Sequence, residues 1–257
     1  MCEHDLIRRK MTRRRALGTL GLLGAAGLLG RRLLDRGPIA DANAAVDVCT
    51  LTPELTIGPY FVEEGLDRSD ITGAASTPFI ADAVPLYLVI NASSALGNCA
   101  PLAGVQIDIW HCHAGGLYSD EAANGTSGQT WLRGYQRTDA NGNVAFTTIY
   151  PGWYAGRTIH IHVMARWFDA GGNTTYQFTT QLFFDEATND LVMAQAPYNT
   201  RGNRSTRNSN DGIYDASMLL DLQANDGGAS YSGTIALGLE LEATTPDLIF
   251  ADAFETA

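Results

Sequence analysis

The chain has 257 residues, 45% of them hydrophobic, and a formal net charge of −11 at pH 7. That length and composition are enough for a full hydrophobic core, and they predict one or two domains. The acidic charge argues against nucleic acid and anionic membranes as partners. The sequence has no uninterrupted apolar stretch of ~20 residues, so we expect no membrane span.

Residues 1–44 are typical of an export signal. Residues 12–17 form a twin-arginine pattern, residues 16–30 an apolar stretch, and residues 40–44 contain two Ala-x-Ala cleavage sites. We therefore predict an exported protein, periplasmic or extracellular, that uses the twin-arginine route. Removing the signal takes nine of the 17 basic and four of the 28 acidic residues, which leaves 8 and 24 and a net charge of −16. None of the remaining residues is lysine.

Three cysteines remain after the signal, namely Cys49, Cys99 and Cys112. In an oxidising compartment we expect two of them to pair and the third to be buried. The spacing leaves all three pairings open. No C-x-x-C spacing occurs, so a cysteine-ligated metal is the weaker interpretation.

Short strand patterns separated by Gly, Asn and Asp turns fill the chain after the signal. They predict strands at residues 85–91, 105–112, 130–137, 144–149, 158–163, 174–184 and 233–241. Residues 130–137 and 144–149 flank a turn cluster and together predict a hairpin.

The other segments are less regular. Residues 185–195 predict a short helix, residues 201–212 a polar loop, and the tail at 244–257 has no assignable pattern. Many short strands favour an all-β fold. We predict one antiparallel β-sandwich domain over residues 45–243, with long loops and few short helices.

The four histidines beyond the signal form two His-x-His pairs, His111 with His113 and His160 with His162. Alternate residues of a strand point to one face, so His160 and His162 form half of a metal site or a hydrogen-bonded surface pair. Tyr154 follows a Pro-Gly-Trp turn six residues before His160. A tyrosine phenol becomes a hard anionic ligand only where a strongly charged metal ion displaces its proton. This favours ferric iron.

Two longer motifs carry a family resemblance. Trp110-His-x-x-x-x-Gly-x-Tyr118-Ser is followed by Pro151-Gly-x-Tyr154-x-Gly-Arg157-x-x-His160-Ile-His162. Together they resemble the intradiol ring-cleavage dioxygenases, in particular their secreted branch, over about residues 49 to 185.

The resemblance implies an Fe(III) cofactor held by Tyr118, Tyr154, His160 and His162, with hydroxide as a further ligand. It implies that a small catecholic substrate displaces Tyr154 and the hydroxide, one of which accepts substrate protons. O2 would then cleave the ring between the two hydroxylated carbons to a cis,cis-muconate type product. Arg157 would stabilise developing negative charge.

Further positions follow from the same resemblance. Gly58, Pro59 and Tyr60 would border the substrate, while Gln181, His111 and His113 would lie behind the metal ligands. The loop between Tyr154 and His160 is shorter than in protocatechuate- or catechol-specific relatives, and Ile57 stands where Glu is more usual. The substrate therefore stays open, as does homo-oligomerisation.

Two other interpretations remain at this stage. One is a copper or zinc protein that uses all four histidines, since imidazole suits both metals. The other is a β-sandwich without catalytic activity that carries a degenerate site.

Overall fold

A computed structural model describes residues 49–73 and 77–243. The predicted export signal and the tail at 244–257 lie outside these residues. Within them the elements in chain order are α1 (Pro78–Ala81), β1 (Pro85–Ser94), β2 (Gln106–Trp110), β3 (Arg133–Arg137), β4 (Asn143–Ile149), β5 (His160–Phe168), β6 (Thr174–Phe183), α2 (Glu186–Met193), β7 (Asp221–Asn225) and β8 (Ser230–Leu239). Four short 3₁₀ turns complete the description, at Ala122–Asn124, Tyr198–Arg201, Asn208–Asn210 and Ala216–Met218.

The strands form two four-stranded sheets, which confirms the predicted all-β sandwich. Sheet 1 has the order β4-β1-β8-β7 and sheet 2 the order β3-β2-β5-β6. Neighbouring strands are antiparallel except for β1 and β8, which pair in parallel from Leu86↔Tyr231 to Ser94↔Leu239. The inward side chains of β1 alternate with exposed ones, and they join those of β2 and β5 in one buried apolar core.

The predicted hairpin between β3 and β4 is wrong, although the turn itself is present. Asp139 accepts the backbone N–H groups of Asn141 and Asn143. However, β3 pairs with β2 in sheet 2, whereas β4 pairs with β1 in sheet 1. A turn motif specifies a chain reversal, but the burial of each strand's apolar face decides which neighbours it joins.

The remaining predictions of elements hold with shifted ends. Asp185 caps α2 by accepting the backbone N–H of Thr188 at 2.9 Å, so the predicted helix is present. Strand β7 was not predicted because its sequence, Asp-Leu-Gln-Ala-Asn, is short and polar, as an edge strand tolerates. None of the helices in the described part of the chain is long and apolar enough to cross a membrane.

The disulfide joins Cys49 to Cys99, and Cys112 is a buried free thiol. This resolves the pairing that the spacing left open. Cys49 begins an extended segment that we call the N-terminal strap, residues 49–60. The strap runs along β6, where Leu55 N–H donates to Thr179 O at 2.9 Å and Gln181 Nε2 donates to Thr56 O at 2.8 Å. It ends beside the His-x-His strand.

Candidate metal centre

His160 and His162 lie at the start of β5 and point to the same side of sheet 2. Both side chains are buried, and their Nε2 atoms are 3.2 Å apart. The Nδ1 atom of His160 lies 2.6 Å from the carbonyl oxygen of Thr158. Since a carbonyl can only accept, Nδ1 carries the proton and Nε2 presents its lone pair to the site.

Two loops bring Tyr118 and Tyr154 to the same place. Their backbones approach so closely that a Cβ on Gly116 would lie 2.1 Å from Trp153 O, and one on Gly152 would lie 2.3 Å from Ala114 O. Only glycine permits this contact. Each of these glycines lies two residues before a predicted tyrosine ligand, and the absence of a side chain there allows the two loops to approach each other.

Four donor atoms gather around one point. From His160 Nε2, the hydroxyl oxygens of Tyr154 and Tyr118 are 3.1 and 3.4 Å away, and His162 Nε2 is at 3.2 Å. Two ligands bound at roughly 2.1 Å from one ion and at about right angles lie about 3 Å apart. The spacing of these four side chains therefore fits a metal ion with two phenolates and two imidazoles.

Burial sets the protonation of these groups in the absence of a metal. Burial, reinforced by the charge of Arg157, lowers the pKa of His160 to about 3, and burial also lowers the pKa of His162. Burial raises the pKa of Tyr154 to about 12 and raises that of Tyr118 well above its ordinary value. The imidazoles are therefore neutral ligands ready for use, whereas the phenols need a highly charged cation to displace their protons.

Aromatic rings fix the orientation of the ligands. The Trp110 ring stacks on His162 with centroids 4.9 Å apart and planes inclined by 4°, and the Tyr60 ring stacks on Tyr118 at 4.3 Å. Gly58 lies on His162, where a Cβ would be 3.0 Å from Cε1 of the imidazole. The strap thus delivers Gly58 and Tyr60 to the site, and Pro59 lies between them.

Arg157 is held at two of its three nitrogens. Nε donates to Asp211 Oδ2 at 2.9 Å and Nη2 donates to Gln181 Oε1 at 2.5 Å. The third, Nη1, is 3.5 Å from His160 Nε2. Gln181 is buried and pairs with His162 across β5 and β6, so it lies behind the ligands.

His111 and His113 do not join the four donors. His111 Nε2 lies 2.7 Å from Thr148 Oγ1 and its Nδ1 2.9 Å from Cys112 O, while the His113 ring stacks between Phe79 and Trp131. Within residues 49–73 and 77–243, no group of three or more His, Cys, Asp or Glu side chains could hold a metal. The two histidine pairs therefore do not converge.

Two further buried residues lie at the site; Asp211 was not predicted, whereas the sequence allows Arg133 to reach the pocket from its strand. Asp211 holds Arg157, and Arg133 donates to Ser119 Oγ, Ser119 O and Tyr60 O at 2.7–2.9 Å. Arg133 thereby ties the residue after Tyr118 to the strap. Asp211 lies in the predicted polar loop, where the sequence contains no motif that distinguishes it from neighbouring polar residues.

Comparisons with known proteins point to one family. A protein-family model described as Dioxygenase matches residues 57–203, more than half of the chain. An intradiol ring-cleavage dioxygenase from Tetranychus urticae is 30% identical with a TM-score of 0.65, over 76% of this chain and 98% of that one. The dioxygenase domain of a carbohydrate-binding fusion protein from Streptomyces sp. SirexAA-E is 29% identical with a TM-score of 0.55, over 75% of this chain and 100% of that one.

A curated relative is longer than this chain. Catechol 1,2-dioxygenase 1 of Acinetobacter lwoffii is 26% identical over 207 residues, which cover 72% of this chain and 61% of the relative. The match thus spans less than two thirds of that protein. The motifs, the sandwich and these relatives agree, and the chain belongs to the intradiol ring-cleavage dioxygenase family.

Proposed function

We propose that the protein is an Fe(III) intradiol dioxygenase that cleaves a catechol with O2 between its two hydroxylated carbons. The observation that carries the proposal is the gathering of Tyr118, Tyr154 and His162 within 3.1–3.4 Å of His160 Nε2. Two phenolates and two neutral imidazoles offer a charge of −2, which suits a trivalent cation. Bound Fe(III) would draw electron density from a catecholate and make its ring carbon reactive towards O2.

The two tyrosines have different roles in this proposal. Tyr118 is 1% exposed and lies between Tyr60 and the histidines, so it remains in place. Tyr154 lies in a loop and is only partly buried. This loop position would let the Tyr154 phenolate move aside when a catechol enters, and its oxygen would then accept a substrate proton and become a phenol. The raised pKa of Tyr154 makes that oxygen a strong base once it leaves the cation.

Arg157 supplies positive charge where the ring acquires negative charge. Its Nη1 group lies on the side of the donors, while Nε and Nη2 are occupied by Asp211 and Gln181. A guanidinium fixed in advance stabilises developing charge without reorganisation during the reaction. This supports the role that the resemblance implies for Arg157.

We propose neutral catechols as substrates, such as catechol, alkylcatechols or hydroxyquinol. Ile57 and Tyr60 pack against the buried cluster of Trp110, Tyr118 and Met164, which makes this side of the site apolar. Arg133 is committed to Ser119 and Tyr60. An apolar wall and an already paired arginine offer little to a ring carboxylate.

The test begins with the purified protein as it is exported. We expect about one iron per chain and a burgundy colour from tyrosinate-to-Fe(III) charge transfer. A panel of catechols, followed by muconate absorbance, should then identify the substrate. A blue or green copper protein, a colourless zinc protein, or an iron protein without ring cleavage on any catechol would overturn the proposal.

We also propose export to the periplasm or outside the cell. The Cys49–Cys99 disulfide supports it, because such bonds persist in oxidising compartments. Replacing Arg13 and Arg14 by Lys should leave the uncleaved protein inside the cell. Normal processing of that variant would argue against the twin-arginine route.

A further inference from the structure

The predicted polar loop, residues 201–212, packs against α2 through a network of ion pairs. Arg204, whose side chain is 3% exposed, donates to Glu186 Oε2 at 2.6 Å and to Asp190 Oδ1 at 2.8 Å. Arg207 contacts the same two carboxylates. The backbone N–H of Asn208 donates to Glu186 Oε1 at 2.6 Å. This segment, predicted only as a polar loop, is therefore anchored on one side.

The other side of the segment contacts the residues just before the ligand strand. Thr158 Oγ1 donates to Asn208 Oδ1 at 2.6 Å, and Thr158 N–H donates to Asp211 Oδ2 at 2.7 Å. The same Oδ2 accepts from Arg157 Nε, while Oδ1 accepts from the N–H of Ile213 at 2.8 Å. Asp211 is thus a buried carboxylate that accepts hydrogen bonds from two backbone N–H groups and from the Arg157 side chain.

We infer that Asp211 is a positioning residue for Arg157, which aims Nη1 at the metal centre; the inference rests on the proposed function. Gln181 alone would fix one nitrogen and leave the guanidinium free to rotate about that bond. Asp211 on Nε adds the second restraint. Because the guanidinium is planar, two restrained nitrogens also fix the direction of the third.

The carboxylate also sets the local charge. Arg157 and Asp211 form a pair in which the arginine side chain is 14% exposed and the aspartate 1%. The positive charge facing the centre is therefore partly compensated from behind. A residue that orients and compensates the arginine should affect turnover through Arg157 and leave the metal ligands unchanged.

The experiment is a double-mutant cycle with Asp211→Asn and Arg157→Leu. Asp211→Asn keeps the size of the side chain and removes its charge. We expect kcat to fall about 10- to 100-fold, as small misplacements of a catalytic group do, with iron content and the visible band retained. In the Arg157→Leu background the same change should have almost no further effect, because the residue acts through Arg157.

A matched control is Asp215→Asn. Asp215 lies in the same part of the chain and accepts the backbone N–H of Ser217 at 2.8 Å, with no arginine partner among the described contacts. It should leave kcat unchanged. Asp211→Glu, which restores the charge, should recover part of the turnover. Multiplicative effects of the two changes in the cycle, or loss of iron in Asp211→Asn, would overturn the inference.

A second measurement needs neither a variant nor turnover. In the wild-type protein loaded with diamagnetic Ga(III) in place of Fe(III), the Nε–H of Arg157 should exchange slowly with solvent in NMR spectra, because it donates to a buried carboxylate. Rapid exchange would overturn the positioning role even if Asp211→Asn failed to fold. Absence of ring cleavage by the wild-type protein would instead contradict the proposed function and leave this readout intact.

Discussion

The identity of the ligands is decided by single residues. Tyr118→Phe and Tyr154→Phe each remove one phenolate from a site in which both tyrosine oxygens lie within 3.4 Å of His160 Nε2. We expect each change to weaken or shift the visible charge-transfer band, measured together with iron content.

His111→Ala is the contrasting variant. It should leave the band and the iron, because His111 bonds to Thr148 and Cys112 and not to the donors. It should lower the free energy of unfolding by roughly 1–3 kcal/mol, because the hydrogen-bond partners of His111, Thr148 and Cys112, are left unsatisfied. If His111→Ala removed the metal while the tyrosine variants kept it, the four-histidine interpretation would be right.

Arg157 separates metal binding from catalysis. Arg157→Leu should retain iron and colour but lower kcat about 10²–10³-fold, the typical cost of losing one fixed group that stabilises charge in the transition state. Steady-state kinetics and iron analysis on the same sample decide the matter. Loss of iron would show that Arg157 supports the ligand strand rather than the reaction.

At the scale of elements, the N-terminal strap shapes the centre by its backbone. Gly58 has a φ of +70°, and a Cβ there would be 3.0 Å from Cε1 of His162. Gly58→Ala should therefore displace the imidazole and weaken iron retention during dialysis against a chelator, besides costing about 1 kcal/mol in backbone strain.

Gly65→Ala is the matched control for that variant. Gly65 has a φ of +61°, and a Cβ there meets nothing within 4 Å. The Gly65→Ala variant should have the same backbone strain as Gly58→Ala but retain its iron. Equal iron loss in the two variants would mean that the backbone conformation, and not the contact with His162, is what matters.

Sequence patterns predicted the structural features that depend only on residues close together in the chain. The two-residue period of a strand placed His160 and His162 on one face, and Asp185 marked the start of α2. The sheet assignment of β3 and β4 and the parallel pairing of β1 with β8 depend on packing between distant segments. The contact of Asp211 with Arg157 joins residues 54 positions apart, and no local period reports such a contact.

At the scale of the whole molecule, buried histidines make stability depend on pH. Burial lowers the pKa of both His111 and His113 from 6.5 to about 4. As pH falls below 6.5 the unfolded chain takes up protons that the folded protein cannot, so the free energy of unfolding decreases until about pH 4. Between pH 7 and pH 5 the loss is roughly 2 kcal/mol for each histidine.

Urea unfolding at pH 7 and pH 5 checks this effect. In His111→Gln the difference between the two pH values should shrink by roughly 2 kcal/mol, while contributions from the other histidines cancel in the comparison. An unchanged difference would mean that His111 titrates normally in the folded protein, and a larger difference would mean that it is protonated there.

The charge of the whole chain bears on the substrate. Without the predicted export signal, residues 1–44, the net charge would be −16 and no lysine would remain. Arg157 is compensated by Asp211, and Arg133 is committed to Ser119 and Tyr60. Arg137 lies four residues further along β3, roughly 13 Å away, and its guanidinium is over the Phe168 ring. Of these three arginines only Arg157 directs a nitrogen, Nη1, at the donors, and its charge is already paired with Asp211.

We therefore expect catechol to be cleaved faster than protocatechuate. The carboxylate of protocatechuate would enter a negative field and lose its hydration without gaining a partner. The measurement is kcat/KM for both substrates at low and at high salt, and the disadvantage of protocatechuate should shrink as salt screens the field. A preference for protocatechuate of tenfold or more, about 1.4 kcal/mol, would show that one of the arginines leaves its present partner to bind the substrate.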